Sequence, residues 1–160
     1  MPRGRLVELF GPSGSGKSTF ATLSAVSSQQ AYPDELVLYV DCEQAFDLEY
    51  AQKLGLNISE DKFILVQPDS GVQALDIMEK FCEAGICSII ILDSVASLRT
   101  NQELNGDVGD QHMAVLPRLL ATPLKNLMTY ASNTDTCCLL VNQVRKNLRR
   151  IWCTFSNTGW

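Results

Sequence analysis

The sequence predicts an α/β protein with a mostly parallel, twisted sheet flanked by helices, and three observations carry that prediction. Short apolar, β-rich runs alternate with helix-like stretches across short connections, the arrangement that builds a parallel sheet covered by helices. One of those runs, CSIIILD (87–93), is apolar almost throughout, as a strand covered on both faces must be. A glycine-rich loop, GPSGSGKST (11–19), stands between the first strand-like run and the first helix-like one.

The elements follow in order. RLVELF (5–10) reads as a strand closed by Gly11, and KSTFATLSAVSSQQ (17–30) as a helix. ELVLYVD (35–41) is a second strand, LEYAQKLG (48–55) a short helix stopped by Gly55, and KFILVQ (62–67) a third strand. GVQALDIMEKFCEAG (71–85) has apolar residues at 72, 75, 78 and 82 and Gly85 to end it, the spacing and stop of an amphipathic helix. CSIIILD and TCCLLVNQ (136–143) complete the strands. RTNQELNGDVGDQ (99–111) is polar with two glycines and reads as a surface loop. HMAVLPRLLATPLKNLMTYA (112–131) looks helical but contains Pro117 and Pro123, and an interior proline costs about 3 kcal/mol. Thr122 is expected to cap a new helix with Pro123 at its first position. Pro117 is expected to kink or break the helix.

Bulk properties narrow the function. The 160 residues are 46% hydrophobic and 19% charged, with a net charge of −5. That is one domain with a real core, and not a protein coated in basic surface, although a local basic patch is compatible with it. Six cysteines (Cys42, Cys82, Cys87, Cys137, Cys138, Cys153) include no C-x-x-C pair, and His112 is the one histidine, so no zinc-ligand pattern is present. Free thiols and the lack of an apolar run after MPRGR predict a cytoplasmic protein.

The loop GPSGSGKST matches G-x-x-x-x-G-K-[ST] through Gly11, Gly16, Lys17 and Ser18. Such a loop, from Gly11 through Pro12, Ser13, Gly14, Ser15 and Gly16 to Thr19, turns successive backbone N–H groups onto phosphates. Lys17 reaches the β- and γ-phosphates and the Ser18 hydroxyl is offered to magnesium. Asp93, at the end of an apolar strand, is the expected second contributor to the magnesium site. Glu43, just beyond the second strand, is placed to activate a water in line with the γ-phosphate. Asn142 and Gln143, at another strand end, offer neutral amides that could sense that phosphate. These three strand ends lie where a parallel sheet opens its ligand crevice. ATP-binding cassette proteins carry a similar loop, but here Asp93 is followed by Ser94 and no LSGGQ-like signature exists. A small-molecule kinase of the guanylate type needs an arginine-rich lid that the middle of the chain lacks.

Six blocks taken together resemble the bacterial and phage RecA recombinases: GRLVELFGPSGSGKSTF, YVDCEQAFDLEYAQKLGL, LVQPDSGVQALDIMEKF, IIILDSVASL, GDVGDQHM and LLVNQVR, spread over about residues 3–146. The resemblance implies a RecA-like P-loop NTPase core over residues 1–144, followed by a basic and aromatic tail at 145–160. It implies ATP and Mg2+ as cofactors, Lys17, Glu43 and Gln143 as catalytic residues, and adenine contacts at Asp47 and Tyr50. It implies single-stranded DNA as partner, double-stranded DNA during strand exchange, and a homo-oligomeric filament. The first DNA-binding loop would include Asn105, Gly106, Asp107, Val108, Gly109, His112 and Met113, with Arg145 and Lys146 as further DNA contacts. The implied activity is a DNA-dependent ATPase that supports homologous pairing and strand exchange in recombination and repair. Relative to that family the chain is expected to lack the N-terminal oligomerisation segment and the C-terminal domain. Two alternatives stand beside this: a nucleotide-binding module without recombinase activity that modulates a full-length partner, and a P-loop small-molecule kinase.

Overall fold

Among the described residues five strands lie parallel in one sheet: β1 (Leu6–Gly11), β2 (Leu36–Asp41), β3 (Phe63–Val66), β4 (Cys87–Asp93) and β5 (Cys137–Gln143). Their spatial order is β1-β5-β4-β2-β3. Among the described residues four α-helices accompany them: α1 (Lys17–Ala31), α2 (Leu48–Lys53), α3 (Gly71–Ala84) and α4 (Val115–Thr134). The structure, a computed structural model, describes residues 1–98 and 115–143, with side chains of the last helix from Leu120 onward.

Alternation along the strands decides which layer each side chain joins. Val37, Tyr39, Ile89, Ile91, Leu139 and Val141 face Ala21, Ala25 and Val26 of α1 and Ala51 of α2. Leu38, Val40, Ile90, Leu92, Cys138 and Leu140 face the other way, onto Leu75, Met78 and Cys82 of α3 and Leu127 and Ala131 of α4. The neighbouring cysteines 137 and 138 therefore belong to opposite layers. Small alanines on α1 let that helix sit close to the sheet, which fixes the glycine-rich loop at its start relative to the strand ends.

Two expectations need correction. The apolar face of α3 runs through Gly71, Ala74, Leu75, Met78 and Cys82, while Val72 is 45% exposed. Positions 71, 75, 78 and 82 follow the i, i+4, i+7, i+11 repeat, and residue 72 lies about 100° away from 71 around the axis. Gly85, at φ +67°, closes the helix as expected.

The second concerns the prolines. No new helix starts at Thr122, because Pro123 lies inside one continuous helix from Val115 to Thr134. Leu120, Leu127 and Ala131 are all buried and form a stripe that spans the proline. Burying each leucine is worth roughly 1.5–3 kcal/mol, enough to offset the roughly 3 kcal/mol of one interior proline. Pro117 falls in the first turn of this helix, where backbone N–H groups have no intrahelical acceptor to lose, so no break follows it.

Candidate nucleotide site

Strand register gathers the predicted site. Gly11 of β1 pairs with Gln143 of β5, Val141 of β5 with Asp93 of β4, and Asp93 with Asp41 of β2. The carboxyl ends of four adjacent strands thus open onto one crevice.

On the β1 side the loop works through its backbone. Gly14 and Gly16 adopt left-handed φ values of +74° and +83°, which a side chain would strain. Gly16 is the N-cap of α1 and offers no side-chain cap, so the first N–H groups of the helix remain available to an anion, with the helix dipole behind them. Pro12, Ser13, Gly14, Ser15 and Gly16 are exposed, as is Ser18, while Gly11 and Thr19 are half-buried. The Lys17 ammonium is folded back onto the Pro12 carbonyl oxygen at 2.7 Å and is almost buried.

On the other side, side chains dominate. Asp93 is 7% exposed and accepts a hydrogen bond from the Tyr39 hydroxyl at 2.8 Å. Burial raises its carboxyl above the usual range, and hydrogen bonds from Ser18 and Tyr39 only partly oppose that. Burial, and then the nearby Asp93, likewise push the Tyr39 phenol upward, so it stays a donor. A buried carboxylate short of donors, beside an exposed serine hydroxyl, is a hard-oxygen pair suited to Mg2+, which keeps several water and phosphate ligands of its own. These residues fit the ion.

Glu43 is exposed, and one of its oxygens is crowded with donors. Its Oε1 accepts from Gln143 Nε2 at 2.8 Å, from Ser94 Oγ at 2.7 Å and from Ser97 Oγ at 3.2 Å. The catalytic glutamate and the phosphate-sensing amide of the sequence reading are therefore in direct contact. Asn142 points elsewhere and donates to Glu8 of β1 at 2.9 Å.

Asp41, two residues before Glu43, does a different job. Its Oδ1 accepts from the Glu43 N–H, and its Oδ2 from the Phe46 N–H and from Gln67 Nε2. It ties down the β2–α2 loop, in which Gln44 holds a φ of +53°. Cys42 sits among these acids; burial, then Asp41, Asp93 and Glu43, push its thiol up to about 12, so it is neither nucleophile nor thiolate ligand. Asp47 is the N-cap of α2 and accepts from the Tyr50 N–H at 2.9 Å. Tyr50 is 45% exposed, leaving its ring free to stack.

Tyr39, Gln67, Ser94 and Ser97 are the participants that sequence reasoning missed. Tyr39 had a signal, a phenol within an otherwise aliphatic strand, whose hydroxyl needs a buried partner. Ser94 and Ser97 had one too, two hydroxyls three residues apart directly after the strand-end aspartate. Among the described residues no helix is long and apolar enough to cross a membrane. The expected DNA contacts Asn105, Gly106, Asp107, Val108, Gly109, His112, Met113, Arg145 and Lys146 lie outside the described residues, as does the 145–160 tail.

The family model described as RecA N-terminal domain matches residues 1–159. The chain belongs to the RecA family. It is 40% identical over 148 residues to Protein RecA of Streptomyces ambofaciens, covering 92% of this chain and 39% of that protein. It is 41% identical over 147 residues to Protein RecA 1 of Myxococcus xanthus and 38% identical over 148 residues to Protein RecA of Heliobacterium modesticaldum, covering 92% of this chain and 42% of each relative. The chain thus spans about two-fifths of the length of these RecA relatives. The parallel α/β sheet, with its glycine-rich loop between β1 and α1, is consistent with a RecA-like core.

Proposed function

We propose that this chain is the ATPase core of a RecA-type recombinase, one that binds ATP with Mg2+ and single-stranded DNA and supports homologous pairing and strand exchange. The observation that carries the reading is the contact between Glu43 and Gln143, 2.8 Å apart, made across the ends of β2 and β5, which flank β4 with its Asp93, while the Lys17 loop follows β1 on the far side of β5.

The steps follow from the chain's own groups. Residues Gly11 to Thr19 cradle the phosphates through backbone N–H groups, and Lys17 exchanges the Pro12 carbonyl for a phosphate oxygen. Asp47 and Tyr50 flank the base. Ser18 and Asp93 would hold Mg2+, which when bound neutralises charge building on the phosphate oxygens. Glu43 accepts a proton from the attacking water, the ordinary role of a general base. Gln143 has one amide group, and a γ-phosphate competes with Glu43 for it. Arrival and loss of that phosphate therefore change what the end of β5 is bonded to, and the chain directly after Gln143 reads the difference. That is how nucleotide state would control the DNA contacts at Asn105–Met113, Arg145 and Lys146. The core of residues 1–144 and the basic tail of 145–160 are assigned on the same reading, as are a homo-oligomeric filament and the double-stranded partner. The five described cysteines are free, which supports a cytoplasmic location.

The test is ATP hydrolysis with Mg2+, with and without single-stranded DNA, over a salt series. Turnover that DNA stimulates, and that fades as salt rises, is the expected result, and Glu43→Gln should remove it. Turnover indifferent to both DNA and Glu43→Gln would overturn the reading.

A further inference from the structure

Glu43 Oε1 has more donors than a general base needs, and two of them, Ser94 and Ser97, belong to no part of the mechanism so far. Ser94 is the N-cap of a short 3₁₀ turn, Val95–Ser97, and the Ser97 N–H donates to the Ser94 carbonyl at 3.1 Å. A 3₁₀ turn has three residues per turn, so side chains at i and i+3 eclipse. The two hydroxyls are consequently held 3.1 Å apart on the side facing Glu43. Each serine has a single proton. Ser94, at 2.7 Å, gives its proton to Glu43 Oε1. The Ser97 proton then goes to the same oxygen at 3.2 Å or to Ser94 Oγ at 3.1 Å. Either way its polarity ends on the carboxylate, directly or through Ser94.

From this geometry we infer that Ser97 is a positioning residue for ATP hydrolysis, holding the carboxylate of Glu43 in place after Gln143 has left it for the γ-phosphate. The inference rests on the reading of Glu43 as the base. In the described state Oε1 has three donors, and nucleotide draws one away. A carboxylate kept by Ser94 alone could still swing about that single bond. With Ser97 present, two donors from one rigid turn fix Oε1 and so fix where Oε2 points. Oε2 accepts no hydrogen bond among the described residues, which leaves it the oxygen able to take the proton of water. Among the described residues Ser97 makes its side-chain hydrogen bonds to Ser94 and Glu43 and none to the loop of Gly11–Thr19, Asp47 or Tyr50, so its assigned role is toward Glu43 and not toward nucleotide.

Steady-state ATP hydrolysis of the full chain with Mg2+ tests this in four forms: the parent, Ser97→Ala, Ser97→Thr and Glu43→Gln. Ser97→Ala should lower kcat about three- to tenfold, the value of one lost hydrogen bond. KM for ATP, the affinity for a fluorescent ATP analogue and the melting temperature should stay unchanged. Ser97→Thr, which keeps the hydroxyl, should recover most of the rate. Glu43→Gln should lose about 100-fold or more, and adding Ser97→Ala to it should cost nothing further. If Glu43→Gln abolishes turnover but Ser97→Ala leaves kcat intact, the inference fails and the base assignment stands. A Ser97→Ala chain that loses nucleotide affinity or thermal stability in step with rate, or that Ser97→Thr does not rescue, makes the hydroxyl structural and overturns the inference. If Glu43→Gln turns over like the parent, or the parent does not turn over at all, the base assignment falls and the inference falls with it.

Discussion

Asp41 and Asp93 are neighbours in register at the ends of β2 and β4, and both are buried, at 3% and 7% exposure. Their surroundings differ. Asp41 accepts two backbone N–H groups and the Gln67 amide. Asp93 has the Tyr39 and Ser18 hydroxyls, and its carboxyl is still raised by burial. A buried carboxylate that the protein satisfies is holding a loop. One left short of donors destabilises the free protein and is stabilised by whatever cation completes it. The proposed division of labour, brace against metal ligand, can be read from that inequality.

Substituting each acid separates them most sharply. Asp93→Asn should cut Mg2+-dependent ATP turnover by about 100-fold or more, since a metal ion contributes several kcal/mol to the transition state, while the chain stays folded by circular dichroism. Asp41→Ala should instead lower unfolding free energy by about 2–4 kcal/mol in urea titrations, because three donors lose their acceptor. Reversed outcomes would exchange the two roles.

Smaller effects sharpen the contrast. Without metal, Asp93→Asn should be more stable than the parent at neutral pH, read as a higher Tm in thermal denaturation. The sign follows from proton linkage. The folded-state pKa of Asp93 is raised, so the folded parent holds its proton to higher pH than the unfolded chain and loses stability as pH rises through the window between the two values. The advantage of Asp93→Asn should therefore vanish below the ordinary carboxylate range and reach its full size above the raised folded value. Mg2+ should raise the Tm of the parent at neutral pH and leave Asp93→Asn nearly unmoved. Gln67→Ala, which removes one of three donors from Asp41, should cost only about 1 kcal/mol, with Mg2+ stabilisation unaltered.

The strands and helices were legible in the sequence because alternation and helical spacing are local, and each strand was located to within about a residue at either end. Pro123 misled because a local rule met a longer-range stripe: nothing between 117 and 123 tells that Leu120, Leu127 and Ala131 share one buried face. In the site, Lys17, Asp93, Glu43 and Gln143 could be picked out because strand ends and loop pattern mark them. Asp41 and Glu43, two acids two residues apart, could not be told apart in role. That distinction depends on Gln67, 26 residues downstream, and on Ser94 and Ser97, brought up by a turn whose 3₁₀ geometry no composition signal announces.

Among the described residues, β1 has a single neighbour in the sheet, β5, and 125 residues separate the end of one from the start of the other. Of the five described strands, the one that carries the glycine-rich loop is therefore made before the others and is among the last to be paired. Pairings so distant along the chain form slowly, after nearer ones are in place. During synthesis the loop can have its sequence complete while still lacking the wall against which it is set, and Gln143 arrives on that same wall. On the proposed reading, nucleotide binding would become available only once the sheet has closed, so that bound ATP would report that the whole core, and not merely its first forty residues, has folded.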